Sequence, residues 1–127
     1  MTIQMYQIVE FPSLLAKLKK LKLPFKTAYK LTLLSQEVEK HMNFYQEKFH
    51  ELVMEYSKKD ADGQPLPTTD GQGVQLIEET MDEAYDKLKE LRSLDVELPN
   101  PSFSIEDFGN IEITTEEMQI LMPFIEA

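Results

Sequence analysis

The chain of 127 residues is acidic and lacks cysteine. Its 42% hydrophobic and 28% charged residues are typical of a globular protein with one domain. Without cysteine it forms no disulfide, thiolate metal site or thiol nucleophile, and its imidazole ligands or bases are limited to two histidines. No apolar run reaches the ~18 residues of a membrane span, and the first residues lack the basic and then apolar order of a secretory signal. We therefore expect a cytoplasmic protein.

The net charge of −10 is divided unevenly along the chain. Residues 11–30 contain six lysines and no acid, whereas residues 93–127 contain eight acids and no base. This asymmetry predicts either two solvated faces or two contact surfaces of opposite sign. The basic contact face comprises Lys17, Lys19, Lys20, Lys22 and Lys26, and the acidic contact face comprises Glu112, Glu116 and Glu117.

Hydrophobic periodicity predicts a short strand, a short helix and then a long helix. Residues 1–9 alternate in the manner of a strand, and Ser13 is placed to cap a lysine-rich helix that Pro24 ends or kinks. From residue 25 to about 57, alternate steps of three and four align apolar residues along a helix without glycine or internal proline. At about 1.5 Å per residue this helix would be roughly 50 Å long, so another helix has to pack along it.

A second helix is expected after an exposed loop. Residues 58–73 hold three of the four glycines, and the apolar spacing resumes over 74–91. The two helices predict a long antiparallel, coiled-coil-like hairpin, whose longer first helix leaves apolar surface for another copy. We call the apolar residues of both helices the seam and expect them to form the core and the interface of a homo-oligomer, with Phe49 in a filled core position. The seam comprises Leu31, Val38, Met42, Tyr45, Phe49, Leu52, Tyr56, Val74, Ile77, Met81, Leu88 and Leu91.

The last segment is expected to be extended and then helical. Residues 96–98 and 111–113 are candidate strands. Thr114 and Glu117 have the spacing of a capping box, which predicts a short helix that stops at Pro123. Phe124 and Ile125 are expected to dock on the core, because an undocked tail would expose them to water.

The predicted fold class is mainly α, a long antiparallel helical hairpin with short terminal strands and small flanking helices. We expect a single domain over residues 1–127. Within it, residues 1–24 form the N-terminal strand and basic helix, residues 25–94 form the hairpin with its loop at 58–73, and residues 95–127 form the acidic C-terminal segment.

Two short motifs resemble metal sites, and both are incomplete. Glu47 and His50 form one Glu-x-x-His step, whereas di-iron bundles need two such steps and further carboxylates. Asp60 and Asp62 start like a calcium loop, but glutamine and glycine stand where later ligands are needed, so a turn is expected. His41 is expected to be a partly buried helix residue. The chain also lacks a glycine-rich nucleotide motif, so we expect no catalytic residue, no metal and no cofactor.

The charges also bear on nucleic-acid partners. The lysine-rich helix is suited to contact phosphate, but the chain as a whole is acidic, and we do not expect specific nucleic-acid binding. The acidic surface could instead imitate a nucleic acid and occupy a basic site on another protein.

Three segments resemble a family of small, uncharacterised bacteriophage and prophage proteins: LPFKTAYKL at 23–31, KKDADG at 58–63 and LMPFI at 121–125. The resemblance covers nearly the whole chain in the same order. It implies a phage or mobile-element origin and action in the bacterial host cytoplasm or in a virion. It supplies no catalytic residues.

Taken with the resemblance, these features predict a non-enzymatic, oligomeric interaction or structural protein of phage type. Its partners would be further copies of itself or another phage or host protein, without a membrane. The alternative is a phage inhibitor that sequesters a host factor, either a defence protein or a nucleotide signal, with acidic surface mimicry as one route. An enzyme would need a metal site built on Glu47 and His50.

Overall fold

The computed structural model describes residues 2–99 and 103–125. Within these ranges it contains four α-helices and two short strands. The helices are Met5–Leu18 (α1), Phe25–Tyr56 (α2), Met81–Arg92 (α3) and Thr115–Leu121 (α4), and the strands are Thr2–Gln4 (β1) and Asp95–Glu97 (β2). The prediction of a mainly helical fold is confirmed, and the two short strands pair with each other as an antiparallel sheet.

The chain divides into two compact units. The first comprises Met1–Met42 and Asp95–Ala127, and the second comprises Asn43–Leu94, each taken over its described residues. The basic segment and the acidic C-terminal segment therefore belong to the same unit, whereas the sequence-based division placed them in separate parts of the domain.

A two-stranded antiparallel sheet joins the two chain segments that make up the first unit. Ile3 of β1 pairs with Val96 of β2, and both side chains are buried. The strand predicted at 96–98 is thus present one residue earlier. Alternation of buried and exposed residues over these three pairs explains why one face of the small sheet turns inward.

The predicted boundary between the first strand and the first helix is wrong. The strand ends at Gln4 and α1 begins at Met5, so Ser13 lies inside the helix and does not cap it. The helix ends at Leu18, well before Pro24. Pro12 is also inside α1, where a proline removes a backbone hydrogen bond at a cost of about 3 kcal/mol. Burial of a continuous stripe outweighs that cost. The stripe is Met5, Ile8, Phe11, Leu14, Leu15 and Leu18.

The C-terminal segment packs on this stripe. The rings of Phe11 and Phe124 lie 4.2 Å apart between centroids, and both side chains are fully buried. The backbone N–H of Phe103 donates to the carbonyl of Phe124 at 3.2 Å, which ties the two parts of the segment together. The prediction that the tail docks on the core is confirmed.

The helix predicted before the tail is also present. Thr114 precedes α4, and its hydroxyl oxygen accepts the N–H of Glu117 at 3.1 Å, while Glu117 Oε1 accepts the N–H of Thr114 at 2.9 Å. The strand predicted over residues 111–113 is wrong, because this stretch is irregular chain without a strand partner among the described residues.

In the second unit, α2 ends at Tyr56, one residue from the predicted end, and the following loop is hydrogen-bonded. Lys58 N–H donates to the carbonyl of Gln75, Gln75 N–H donates to that of Leu66, and Leu66 N–H donates to that of Lys58, each at 2.8 Å. Three extended segments thus each bond to the other two. Isolated bridges reinforce this loop, including Ser57 with Leu76.

The predicted start of the second long helix is wrong. The helix α3 begins at Met81 after a 3₁₀ turn at Glu78–Thr80, so Val74 and Ile77 lie outside it. The physical reason is competition for backbone groups. Gln75 uses both its N–H and its carbonyl in the loop, and Ile77 N–H donates to the carbonyl of Tyr56 at 2.9 Å.

Burial along the seam is uneven. Leu31, Val38, Tyr45, Tyr56 and Leu91 are buried. Other seam residues are half-buried: Met42, Leu52, Val74, Ile77, Met81 and Leu88. Phe49 is 41% exposed, so the expectation of a filled core position there is wrong. Its ring stacks on that of Tyr45 at 5.9 Å and leaves its outer side in water.

Candidate functional site

An exposed apolar row on α2 stands out in the first unit. Phe25 is 97% exposed, Tyr29 66% and Leu33 39%, and steps of four residues keep them on one side of the helix. The buried residues Leu31 and Val38 lie on the other side and hold the helix in the unit. The position of the row is therefore fixed while its side chains remain in water.

Lysines flank this row. Lys22 and Lys26 are exposed on either side of Phe25 in the sequence, and Lys19 and Lys20 are exposed in the turn after α1. None of these four forms an ion pair with a described residue. We call Phe25, Tyr29 and Leu33 with Lys22 and Lys26 the aromatic face.

The predicted basic contact face is divided by the structure. Lys17 forms an ion pair with Glu117 at 3.0 Å within the chain. The other four lysines of the predicted face are exposed to solvent. Lys30, which was outside the predicted face, lies 3.9 Å from Asp107. Among the described residues, the ion pairs Lys17–Glu117 and Lys30–Asp107 thus join residues 11–30 to the acidic C-terminal segment.

The predicted acidic contact face is divided in the same way. Glu112 and Glu116 are exposed, while Glu117 is half-buried beside α1. The backbone N–H of Thr114 and then the ammonium group of Lys17 hold the pKa of Glu117 below its ordinary value of 4.5. Glu117 therefore serves the fold, and the two exposed acids remain available to a partner.

The second unit contains a groove of about 380 Å³ between the last part of α2 and α3. Its apolar lining includes Phe44, Leu52, Leu91 and Leu94, of which Phe44 is 42% and Leu94 38% exposed. Four carboxylates and two ammonium groups surround this lining. They belong to Glu51, Glu55, Glu83, Glu90, Lys48 and Lys87, and we call the whole site the acidic groove.

Some of these charges already have partners. Lys48 lies 3.3 Å from Glu51 and 5.8 Å from the centre of the Phe44 ring. Burial, and then the hydrogen bond that its hydroxyl donates to Glu83, raise the pKa of Tyr56 above its ordinary value of 10.0. Glu55 and Glu90 are exposed and form no ion pair with a described residue.

The residues considered as metal ligands are not assembled into a site. Glu47 and His50 are both exposed, and over residues 2–99 and 103–125 no group of three potential ligands comes together. Asp60 Oδ1 accepts the N–H of Asp62 at 2.9 Å, which is a turn rather than a calcium loop. His41 is half-buried, and its Nε2 lies 3.9 Å from Glu37.

The sequence predicted Lys22 and Lys26 as contact residues, but it did not predict the apolar row of the aromatic face or the acidic groove as sites. Phe25, Tyr29 and Leu33 have helical spacing in the sequence, but the longer apolar stripe of the seam is the stronger helical signal over the same residues. The spacing of residues along the sequence does not predict the groove. Its lining comes from α2, from α3 and from Leu94 just after α3, and the loop separates the first of these from the other two in the sequence.

No family model, curated protein or solved structure matches this chain. The resemblance to phage proteins therefore stays a prediction. Among the described residues, no helix combines the length and the apolar character that crossing a membrane requires.

Proposed function

We propose that this chain is a non-enzymatic, oligomeric interaction or structural protein that works through protein–protein contacts. One observation carries the proposal: Phe25 is 97% exposed on an ordered helix, with Tyr29 exposed one turn further on. A buried aromatic side chain removes roughly 150–250 Å² from water, so leaving two of them exposed is unfavourable unless a partner covers them. Clustered exposed apolar residues are typical of interaction sites.

The charges around the aromatic face suit a protein interface as well. Aromatic side chains and a polar, charged rim are the usual composition of such surfaces. Lys22 and Lys26 would form part of that rim and would favour an acidic partner.

The finer architecture belongs to the same proposal. The last part of α2 and the shorter α3 would pair as an antiparallel, coiled-coil-like hairpin closed by the hydrogen-bonded loop. Support comes from the groove of about 380 Å³, to which residues of both helices contribute.

The setting would be a bacterial host cell or a virion, as the phage resemblance implies. The acidic groove favours one second candidate, a phage inhibitor that captures a basic segment of a host protein. The candidates differ in what copurifies with the chain. A host protein recovered from lysate in fixed ratio supports the inhibitor, and self-copies or virion parts support the structural role.

Light scattering of purified chain tests the proposal directly. At micromolar concentration the wild type should exceed the monomer mass of 14.8 kDa, and a variant with Phe25→Ser and Tyr29→Ser should approach it. Ile105→Ser is the matched control, because Ile105 is 63% exposed elsewhere in the first unit. A wild type that stays monomeric and recovers no protein partner would remove the proposed function.

A further inference from the structure

We propose that the acidic groove of one copy receives the aromatic face of another copy. This inference rests on the proposed function and adds the partner to it. The occupant is a second copy of the same chain, joined head to tail through two different surfaces.

The apolar parts of the two surfaces are complementary. The groove is open to solvent and measures about 380 Å³, a volume comparable with the roughly 300–1,000 Å³ of protein ligand clefts. Phe25 and Tyr29 present two aromatic rings at a spacing of one helical turn, which is how helices deliver anchors into grooves. Phe44 and Leu94, both partly exposed in the groove, would be covered in the same contact.

The charged parts are complementary in sign. Glu55 and Glu90 stand at the groove without ion-pair partners among the described residues, and Lys22 and Lys26 stand at the aromatic face in the same condition. Two such faces brought together would place lysine against lysine, which repels. The charge pattern therefore favours contact between the face and the groove over contact between like surfaces.

The geometry has a consequence for assembly. When one copy's face enters its neighbour's groove without the reverse contact, one face and one groove stay unused at the ends of the dimer. Further copies then add until a ring closes or a filament forms, whereas a dimer in which both copies make the contact reciprocally is complete. The buried seam residues Leu31, Val38 and Tyr45 already serve the core of a single chain, so they leave this role to the two exposed surfaces.

Mixing two variants tests the inference. The face variant carries Phe25→Ser and Tyr29→Ser, and the groove variant carries Glu55→Lys and Glu90→Lys. Each alone should self-associate about tenfold or more weakly than wild type, because each lacks one half of the contact. Mixed in equal amounts, they retain one intact face and one intact groove, so they should form a one-to-one dimer and nothing larger.

Controls separate this outcome from unfolding and from general charge effects. Circular dichroism of every variant should match wild type. Glu47→Lys with Glu79→Lys makes the same change in net charge at exposed residues of the second unit outside the groove lining, and it should assemble like wild type.

Other results overturn the inference. A groove variant that assembles as well as wild type, while the face variant does not, would show that the face has another occupant, and the proposed function would survive. A mixture that stays monomeric also refutes the contact. Binding to vesicles that contain phosphatidylserine is measured as well. If the vesicles bind the wild type but not the face variant, and both proteins self-associate equally, the aromatic face binds membranes and the inference is refuted.

Discussion

Lys17 and Glu117 form an ion pair although they are one hundred positions apart, with Nζ 3.0 Å from Oε1 and 3.2 Å from Oε2. The same Glu117 carboxylate also accepts the backbone N–H of Thr114 at 2.9 Å. One side chain therefore caps the start of α4 and attaches it to the end of α1. The contact therefore joins the basic stretch of residues 11–30 to the acidic stretch of residues 93–127.

The stability of the first unit should fall in acid partly through Glu117. Its pKa in the folded chain lies below the ordinary 4.5, so its contribution is present above about pH 4.5 and is lost as the pH falls through the folded value. Thermal melts between pH 3 and 7 should show a smaller acid loss for Glu117→Gln than for wild type. Glu116→Gln, an exposed neighbour, serves as the control and should keep the wild-type pH dependence. Equal profiles for all three proteins would mean that Glu117 is not the group responsible.

Truncation of Phe11 should be among the most damaging changes in the chain. It is fully buried and packs against Phe124, so Phe11→Ala should lower the free energy of unfolding by about 3–5 kcal/mol. Phe49→Ala should cost less, about 1–2 kcal/mol, because part of the ring is already in water. Denaturant unfolding at concentrations too low for association measures both. A larger loss at Phe49 than at Phe11 would contradict this assignment of the core.

Thr114 should contribute about 1 kcal/mol as the cap of α4. Thr114→Ala removes the hydroxyl that accepts the N–H of Glu117 at 3.1 Å and leaves that donor without its partner. Thr115→Ala, one position later and inside the helix, is the matched control and should leave stability almost unchanged. Chemical denaturation gives the difference, and faster amide exchange in α4 should accompany only the first change. Similar losses in both variants would argue against the cap.

Gly63 should tolerate alanine less well than Gly73 does. Gly63 has φ +79°, a left-handed conformation that costs other residues roughly 1–2 kcal/mol, and an added Cβ would meet nothing within 4 Å. The loss from Gly63→Ala would thus come from the backbone alone. Gly73 also has open space and has no such φ, so Gly73→Ala should be neutral or stabilising by up to about 1 kcal/mol. Comparable losses for both glycines would refute the conformational explanation.

The sequence by itself determined the features that depend on local chemistry. The length of α2 follows from a stretch without glycine or internal proline, and α4 follows from the capping box of Thr114 and Glu117. The docked tail follows from the apolar pair Phe124 and Ile125 near the end of the chain. Such signals are readable because the residues involved are neighbours in the chain.

Only the tertiary structure decided the remaining boundaries and surfaces. Pro12 remains in α1 because the neighbouring Phe11 is buried against the distant Phe124, and α3 begins late because Gln75 bonds to two other segments of the loop. Helical spacing predicts two apolar sides of α2, one that contains Phe25 and one that contains Leu31. Whether an apolar side chain is buried depends on whether another part of the chain packs against it. In the folded chain Leu31 is buried in the core, whereas Phe25 is exposed to water.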